Sequence, residues 1–334
     1  MKVAVIGAGY WGPNLIRNFL AADEVDAVVA CDLDEGRLAK MRKSFYGIET
    51  STDHSAVIAR PDIDIVVIAT PVSKHHEIAK AALLAGKHVW IEKPMTVSTS
   101  QAEELIEIAE QKNLKLFVDH TFIYTGAVSK MKEIITSGRL GDIYYFDSVR
   151  VNLGLFQHDV NVIWDLAPHD LSIADYLLEQ KPVAVSAIGS CHVGNGLEDI
   201  AYLTLEYENN LIAHFHVNWL APVKIRKTLI GGNKSMIVFD DNEASEKLKI
   251  YDKGIDVTTR EGVYDTLVQY RTGDMLSPKL DQTEALAAGT RHFIDCILND
   301  KTPLTDGHAG LSVVRVLEAS GESIKNGGKM VGLA

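Results

Sequence analysis

Cysteine is scarce in this sequence: three residues, Cys31, Cys191 and Cys296, stand far apart with no CxxC pair among them. That excludes a disulfide-stapled secreted scaffold and a cysteine-based structural zinc site, and it predicts buried thiols in a reducing cytoplasm. Long apolar runs are missing too. No stretch approaches the roughly 18 uninterrupted apolar residues of a membrane span, and Val3-Ala4-Val5-Ile6 is too short for the core of a signal peptide, so no membrane association is expected. Positive charge is in deficit, because 33 Lys and Arg against 45 Asp and Glu leave a net −12. This is the wrong sign for a phosphate backbone, and nucleic acid is not expected as a partner. Internal repeats, low-complexity tracts and Pro/Ser-rich linkers are also absent. What is present is a globular composition, 46% hydrophobic and 23% charged over 334 residues, long enough for about two domains of roughly 150 residues each.

The first third alternates short β-branched runs with helical-period segments. The runs cover residues 2–6, 27–31, 63–69, 88–91 and 115–118, and the amphipathic segments cover 11–20, 35–44, 75–85 and 98–112. This pattern predicts a parallel sheet with helices on both faces, a doubly wound Rossmann α/β domain. Ser98 followed by Gln101, or Ser100 by Glu103, marks the start of the last helix as a capping box would. After about residue 120 the texture changes. Helical patterns at 127–137 and 170–178 flank a strand at 143–153, and strand-like runs follow at 183–188, 201–206, 212–219, 224–230 and 235–239. Short turns such as Glu208-Asn209-Asn210 and Gly231-Gly232-Asn233 join them, which predicts an α+β domain with a large, mostly antiparallel open sheet. Helices at 283–298 and 307–325 close the chain. The expected division is residues 1–121 and 122–334. Phe215, Val217 and Trp219 read as apolar positions on the outward face of the second sheet, and a homodimer or homotetramer would cover them.

Four motifs carry chemistry. Gly7-Ala8-Gly9-Tyr10-Trp11-Gly12 follows the first strand and opens the first helix: Gly7 allows the tight turn, Gly9 lets a pyrophosphate approach the backbone, and Gly12 permits close helix–strand packing. Asp32 ends the second strand, twenty positions beyond Gly12, where a carboxylate holds ribose hydroxyls. With Leu33 and Asp34 as neighbours, no adjacent cation offsets that carboxylate, so NAD is favoured over NADP. Second, Ala69-Thr70-Pro71 ends the third run ahead of His75 and His76, either as a turn facing the cofactor or as a proline-terminated loop with solvent-exposed histidines. Third, Glu92-Lys93-Pro94 ends the fourth run and either sets an ammonium beside a reacting hydroxyl or leaves a strand-end lysine in solvent. Fourth, Trp164-Asp165-Leu166-Ala167-Pro168-His169-Asp170 spaces a carboxylate and an imidazole four apart. They share one face if the segment is helical. Alternatively, Pro168 leaves them on a turn before a helix starting at Asp170, in a capping arrangement.

With these motifs in this order, the chain resembles the Gfo/Idh/MocA oxidoreductases, relatives of glucose–fructose oxidoreductase and inositol dehydrogenase, over nearly its whole length. The resemblance implies an NAD-dependent enzyme. Lys93 would polarise the reacting hydroxyl or carbonyl, Asp165 would help position it, and His169 would act as general base or acid. Glu92, Thr70, Pro71 and His75 would join Gly7, Gly9, Tyr10, Trp11, Gly12 and Asp32 in holding the cofactor. Val72 stands where many relatives have asparagine, and Thr121-Phe122 replaces a frequent Arg-Phe. Substrate contacts are expected from His120, Tyr124, Arg150, Asn152 and Asn161, with Lys224, Arg226 and Lys227 as a further basic cluster or simply an exposed strand face. No metal is expected. Gly-Tyr-Trp-Gly-Pro-Asn and Trp-Asp-Leu-Ala-Pro-His-Asp look most like the branch of cytoplasmic enzymes that act at a ring carbon, typically C3, of nucleotide sugars in surface-polysaccharide and amino-sugar synthesis. The alternatives are an inositol or free-sugar dehydrogenase and, from another class, a non-catalytic NAD-sensing regulator.

Overall fold

The computed structural model describes residues 1–154, 160–178, 180–193, 196–252, 254–258, 267–271 and 273–333. It divides into two compact units, one comprising Met1–Tyr124 with Thr283–Glu318 and the other Thr125–Gln282 with Ala319–Ala334.

In the first unit, β1 (Lys2–Ile6), α1 (Gly12–Leu20), β2 (Ala27–Cys31), α2 (Glu35–Ser44), β3 (Glu49–Ser51), α3 (His54–Ile58), β4 (Ile65–Ile68), α4 (His75–Leu84), β5 (His88–Glu92), α5 (Thr99–Gln111) and β6 (Leu116–Asp119) follow in turn. The strands pair in parallel in the order β3-β2-β1-β4-β5-β6. Because helices cover both faces, the central strands are apolar and buried almost throughout, as in Ile65-Val66-Val67-Ile68. The order reverses between β1 and β4, so the loops after these two strands flank the crevice where doubly wound sheets bind ligands. Strand β3 and helix α3 carry too little periodic signal to be read in advance: β3 is the edge tripeptide Glu-Thr-Ser, and α3 is five residues started by Asp53, whose carboxylate accepts the Ser55 and Ala56 N–H groups.

The second unit begins with α6 (Gly126–Thr136), β7 (Ile143–Leu153) and α7 (Val162–Leu177). It continues through β8 (Ala184–Ser190), β9 (Ile200–Glu206), β10 (Ile212–Asn218), β11 (Leu220–Gly232), β12 (Met236–Asp240), β13 (Leu248–Tyr251), β14 (Gly254–Thr258), β15 (Leu267–Arg271) and β16 (Met275–Leu276), with β17 (Val331–Gly332) near the end of the chain. Among the described residues the main sheet runs β16-β13-β12-β11-β7-β10-β9-β8-β17, antiparallel except for the β7–β10 pair. Helix α7 packs on β10 and β7. The outward apolar patch expected at Phe215, Val217 and Trp219 is corrected here, since each is only 1% exposed. With a side-chain period of two, Ala213, Phe215 and Val217 line the core face of β10, leaving Ile212, His214 and His216 on the other. That other face also carries Tyr202, whose ring stacks on His216 at 4.4 Å, and the exposed Ile188.

Two closing helices, α8 (Ala285–Leu298) and α9 (Gly307–Lys325), follow β16. The segment 283–318 belongs to the first unit, whereas the sequence division had assigned everything from 122 onward to the second domain. The cause is packing. Trp90 stacks on Phe117 with centroids 3.9 Å apart, and Phe293 of α8 meets both rings at 5.7 and 5.2 Å. Leu286 and Ile294 join the cluster that contains Val3, Val5, Leu15 and Phe19. Full burial of each such side chain is worth about 1.5–3 kcal/mol, which fixes α8 to the core it completes.

Candidate active site

The fingerprint turn is built on two close approaches that only glycine allows. Gly7 has φ +104°, and a Cβ there would lie 2.4 Å from the Ala69 carbonyl oxygen; at Gly12 a Cβ would lie 2.1 Å from the Gly7 oxygen. The turn thereby brings β1, the β4 exit and the start of α1 together. No side chain caps α1, so its first N–H groups are left for an anion, as pyrophosphate binding requires. Asp32, almost fully buried, accepts the Ala8 N–H at 2.7 Å and the Asp34 N–H at 2.9 Å, which aligns its carboxylate at the end of β2. Glycine turn, open helix end and ribose carboxylate together fit a dinucleotide. Tyr10 is exposed, its ring over Trp11 at 6.4 Å. One signal escaped the sequence reading: Arg37, on α2, reaches back to within 3.4 Å of Asp32, so a cation does stand beside that carboxylate.

The β4 and β5 exits are joined through His75. Its imidazole is buried, with Nδ1 2.9 Å from the Pro94 oxygen and Nε2 2.9 Å from the Thr70 oxygen. Burial holds its pKa below the ordinary histidine value against the pull of those carbonyls. With its one N–H the neutral ring donates to one of these two carbonyls and fills the space between the loops that carry them, while Thr70 is half-buried and Pro71 exposed. The Lys93–Pro94 peptide is cis. Lys93 itself is half-buried.

Beside Lys93 lies a pair of acids. Glu92 and Asp119 are register partners on β5 and β6. Asp119, 1% exposed, accepts the Thr121 hydroxyl at 2.8 Å and the Trp11 indole N–H at 3.4 Å. Burial and the adjacent Asp119 carboxylate push Glu92 well above the usual carboxylate range, with Lys93 pulling the other way. Burial raises Asp119 as well. Next in sequence, His120 is fully buried with no hydrogen-bond partner for either ring nitrogen among the described residues. Burial, helped by the charge on Lys93, pushes it down to about 3, so the ring is neutral. Tyr124, expected at the substrate, stacks on Phe117 at 5.8 Å and meets the Thr305 hydroxyl at 3.2 Å.

In the second unit the helical alternative holds for the fourth motif. Helix α7 begins at Val162 rather than Asp170, carries Pro168 inside it, and places Asp165 and His169 one turn apart on one face. Asp165 accepts the Trp219 indole N–H at 3.0 Å, and both Asp165 and His169 are half-buried. Asn161 is the N-cap of this helix: its oxygen accepts the Trp164 N–H at 3.2 Å and its amide donates to Glu198 at 2.7 Å. Arg150 is buried in a bidentate pair with Asp170, at 2.8 and 2.7 Å. Its register partner Arg226 contacts Asp241 at 3.4 Å, while Lys227 lies 3.6 Å from Asp240. Asn152 is half-buried on β7. Three expected substrate contacts, Arg150, Asn161 and Tyr124, therefore have internal partners. Among the described residues no cluster of His, Cys, Asp and Glu suits a metal ion, and no helix is long and apolar enough to cross a membrane.

Comparison with known proteins gives the same picture at the level of the whole chain. Residues 1–120 match the family model described as an oxidoreductase family with an NAD-binding Rossmann fold, and residues 128–238 match the GFO/IDH/MocA C-terminal domain. Inositol 2-dehydrogenase 2 of Saccharopolyspora erythraea is 30% identical over 69% of this chain and 71% of its own length. UDP-N-acetylglucosamine 3-dehydrogenase of Acidithiobacillus ferrooxidans is 28% identical over 94% of each chain. The solved structure under that name from the same organism has a TM-score of 0.81 at 25% identity, over 98% of each chain. Levoglucosan dehydrogenase in complex with NADH and levoglucosan shares the fold, with a TM-score of 0.85 at 21% identity over 100% of this chain and 99% of its own. A relative at 30% identity across 71% of its length, with domain models met in both halves of the sequence, makes this chain a member of the GFO/IDH/MocA family of NAD-dependent oxidoreductases.

Proposed function

We propose that the enzyme moves hydride between the nicotinamide of NAD and a ring carbon, C3, of a nucleotide sugar in surface-polysaccharide or amino-sugar biosynthesis. The observation that carries this reading is the similarity to UDP-N-acetylglucosamine 3-dehydrogenase along 94% of both chains. Bound NAD supplies the hydride acceptor or donor; the protein supplies position and proton control. Lys93, just beyond the end of β5, polarises the reacting oxygen, and Asp165 and His169 orient it and carry its proton. The open face of the second sheet, with Ile188, Tyr202 and Ile212 exposed, is the surface on which the chain self-associates as a homodimer or homotetramer.

The second reading is an inositol or free-sugar dehydrogenase, supported by the 30% identity to inositol 2-dehydrogenase 2 and by the commitment of Arg150 to Asp170, which removes one cation from diphosphate recognition. The deciding experiment follows nicotinamide absorbance while the purified protein receives NAD or NADH with UDP- and dTDP-sugars, their uronic acids, free sugars and inositols. Turnover confined to nucleotide sugars is expected. Turnover with free polyols alone selects the second reading, and tight cofactor binding without any turnover selects an NAD sensor.

A further inference from the structure

Trp219 is the single residue between β10 and β11, two strands that lie on either side of β7 in the sheet. All of its polar atoms are engaged. Its backbone N–H donates to the Asp199 carbonyl at 2.9 Å, its carbonyl accepts the Gly154 N–H at 3.1 Å, and its indole N–H donates to Asp165 Oδ2 at 3.0 Å. The residue is 1% exposed, and a Cβ on Gly154 would lie 2.8 Å from the ring's Cδ1, so the indole sits directly against the chain leaving β7. The neighbouring turn is equally firm: Asp199, buried, accepts the His192 and Val193 N–H groups at 2.7 and 2.9 Å. Helix α7 is less so. Pro168 offers no N–H to the Trp164 carbonyl four positions back, and the turn carrying Asp165 lacks that rung. The end of the sheet thus supplies a fixed donor to a carboxylate whose own helix is interrupted beside it.

We propose that Trp219 is a positioning residue for hydride transfer: its indole N–H holds the Asp165 carboxylate by Oδ2 and sets the direction from which that carboxylate meets the substrate hydroxyl. A hydrogen bond to a charged acceptor is strong and directional, and a buried donor that is already in place costs no reorganisation when the substrate arrives. A reacting group displaced by about 1 Å can lose about 100-fold in rate, which is the scale such an anchor protects. Trp219 touches neither substrate nor cofactor in this scheme. It acts through Asp165, and its role rests on the one given to Asp165 above.

The test is steady-state turnover of the full-length protein, followed as nicotinamide absorbance with NAD and either UDP-N-acetylglucosamine or myo-inositol, for the parent, Trp219→Phe, Asp165→Ala, the Trp219→Phe/Asp165→Ala double variant and Gly154→Ala. Calorimetric titration with NAD and circular dichroism accompany each. Trp219→Phe is expected to lower kcat about tenfold or more, the worth of one hydrogen bond to a charged group, with KM and NAD affinity held within about threefold. Gly154→Ala, which keeps the indole but crowds its ring, is expected to lower kcat as well, a check independent of how well the phenylalanine variant folds. In the Asp165→Ala background, Trp219→Phe is expected to cost no more than about twofold further, because the group it acts through is already gone. Losses that multiply in the double variant would make Trp219 merely structural and overturn the proposal, as would full kcat in Trp219→Phe. Asp165→Ala with the turnover of the parent would instead overturn the role of Asp165 itself, and this proposal with it.

Discussion

A histidine that stays neutral and a lysine beside it make the sharpest residue-scale predictions. His120 titrates at about 3 in the folded protein, below the roughly 6.5 of an unfolded chain. The folded state thus prefers the neutral ring, and the stability this preference contributes is complete above pH 6.5 and is lost as the pH falls toward 3. Between pH 6.5 and 5 the loss amounts to about 2 kcal/mol. Urea unfolding at the two pH values should therefore show a smaller drop for His120→Gln than for the parent; equal drops would remove His120 as the cause. Lys93→Met and His169→Ala should each lower kcat/KM by about 100-fold or more, the usual worth of general acid–base groups, with NAD affinity held within about threefold. Parallel losses of turnover and cofactor binding would instead make them structural. The fingerprint residues were legible because a glycine spacing directly encodes a backbone path. Asp119 was legible as a strand-end residue, but its contact with Trp11, 108 positions away, was not, and neither was the reach of Arg37 back to Asp32.

At the scale of elements, α7 is instructive. Proline is a poor guest in a helix interior because it lacks an N–H and crowds the preceding turn, so the sequence placed the helix start after Pro168. The structure begins it at Val162, where Asn161 caps it and buried Val162, Ile163, Leu166 and Ala167 anchor its first turns. Packing outweighs the local penalty of about 3 kcal/mol. The Arg150–Asp170 pair ties this helix to β7 with both side chains at most 6% exposed. Removing one partner strands a buried charge, so Asp170→Ala should destabilise the protein by about 3–5 kcal/mol in urea unfolding. Replacing both groups, as in Arg150→Met/Asp170→Leu, should recover most of that loss. If the double variant is no better than the single, the cost lies in packing and not in the uncompensated arginine. The central strands needed no such context: their apolar runs at β1 and β2 coincide with the observed boundaries.

For the whole molecule, the two fold classes were legible from the change in texture near residue 120, but the return of 283–318 to the first unit was not. An amphipathic helix advertises that it has an apolar face without saying which core receives it. Face assignment in the second sheet failed for a related reason: alternation along β10 separates Phe215 and Val217 from His214 and His216, and only the covering helix decides which set is inside. The exposed Ile188, Tyr202 and Ile212 make a concrete prediction for assembly. Light scattering should report a dimer or tetramer for the parent and a smaller species for Ile188→Lys/Tyr202→Glu with unchanged circular dichroism. An unaltered mass would move the interface elsewhere.

The packing of Phe293 against Trp90 and Phe117 also governs how the chain is made. During translation the first six strands emerge early, yet the pocket around Trp90 stays open until residues near 290 have left the ribosome. Until then the Trp90 and Phe117 rings lack the cover that Phe293 gives them in the folded chain. Ribosome-bound chains halted before α8 should remain protease-sensitive across β5 and β6, gaining protection only when Leu286, Phe293 and Ile294 arrive.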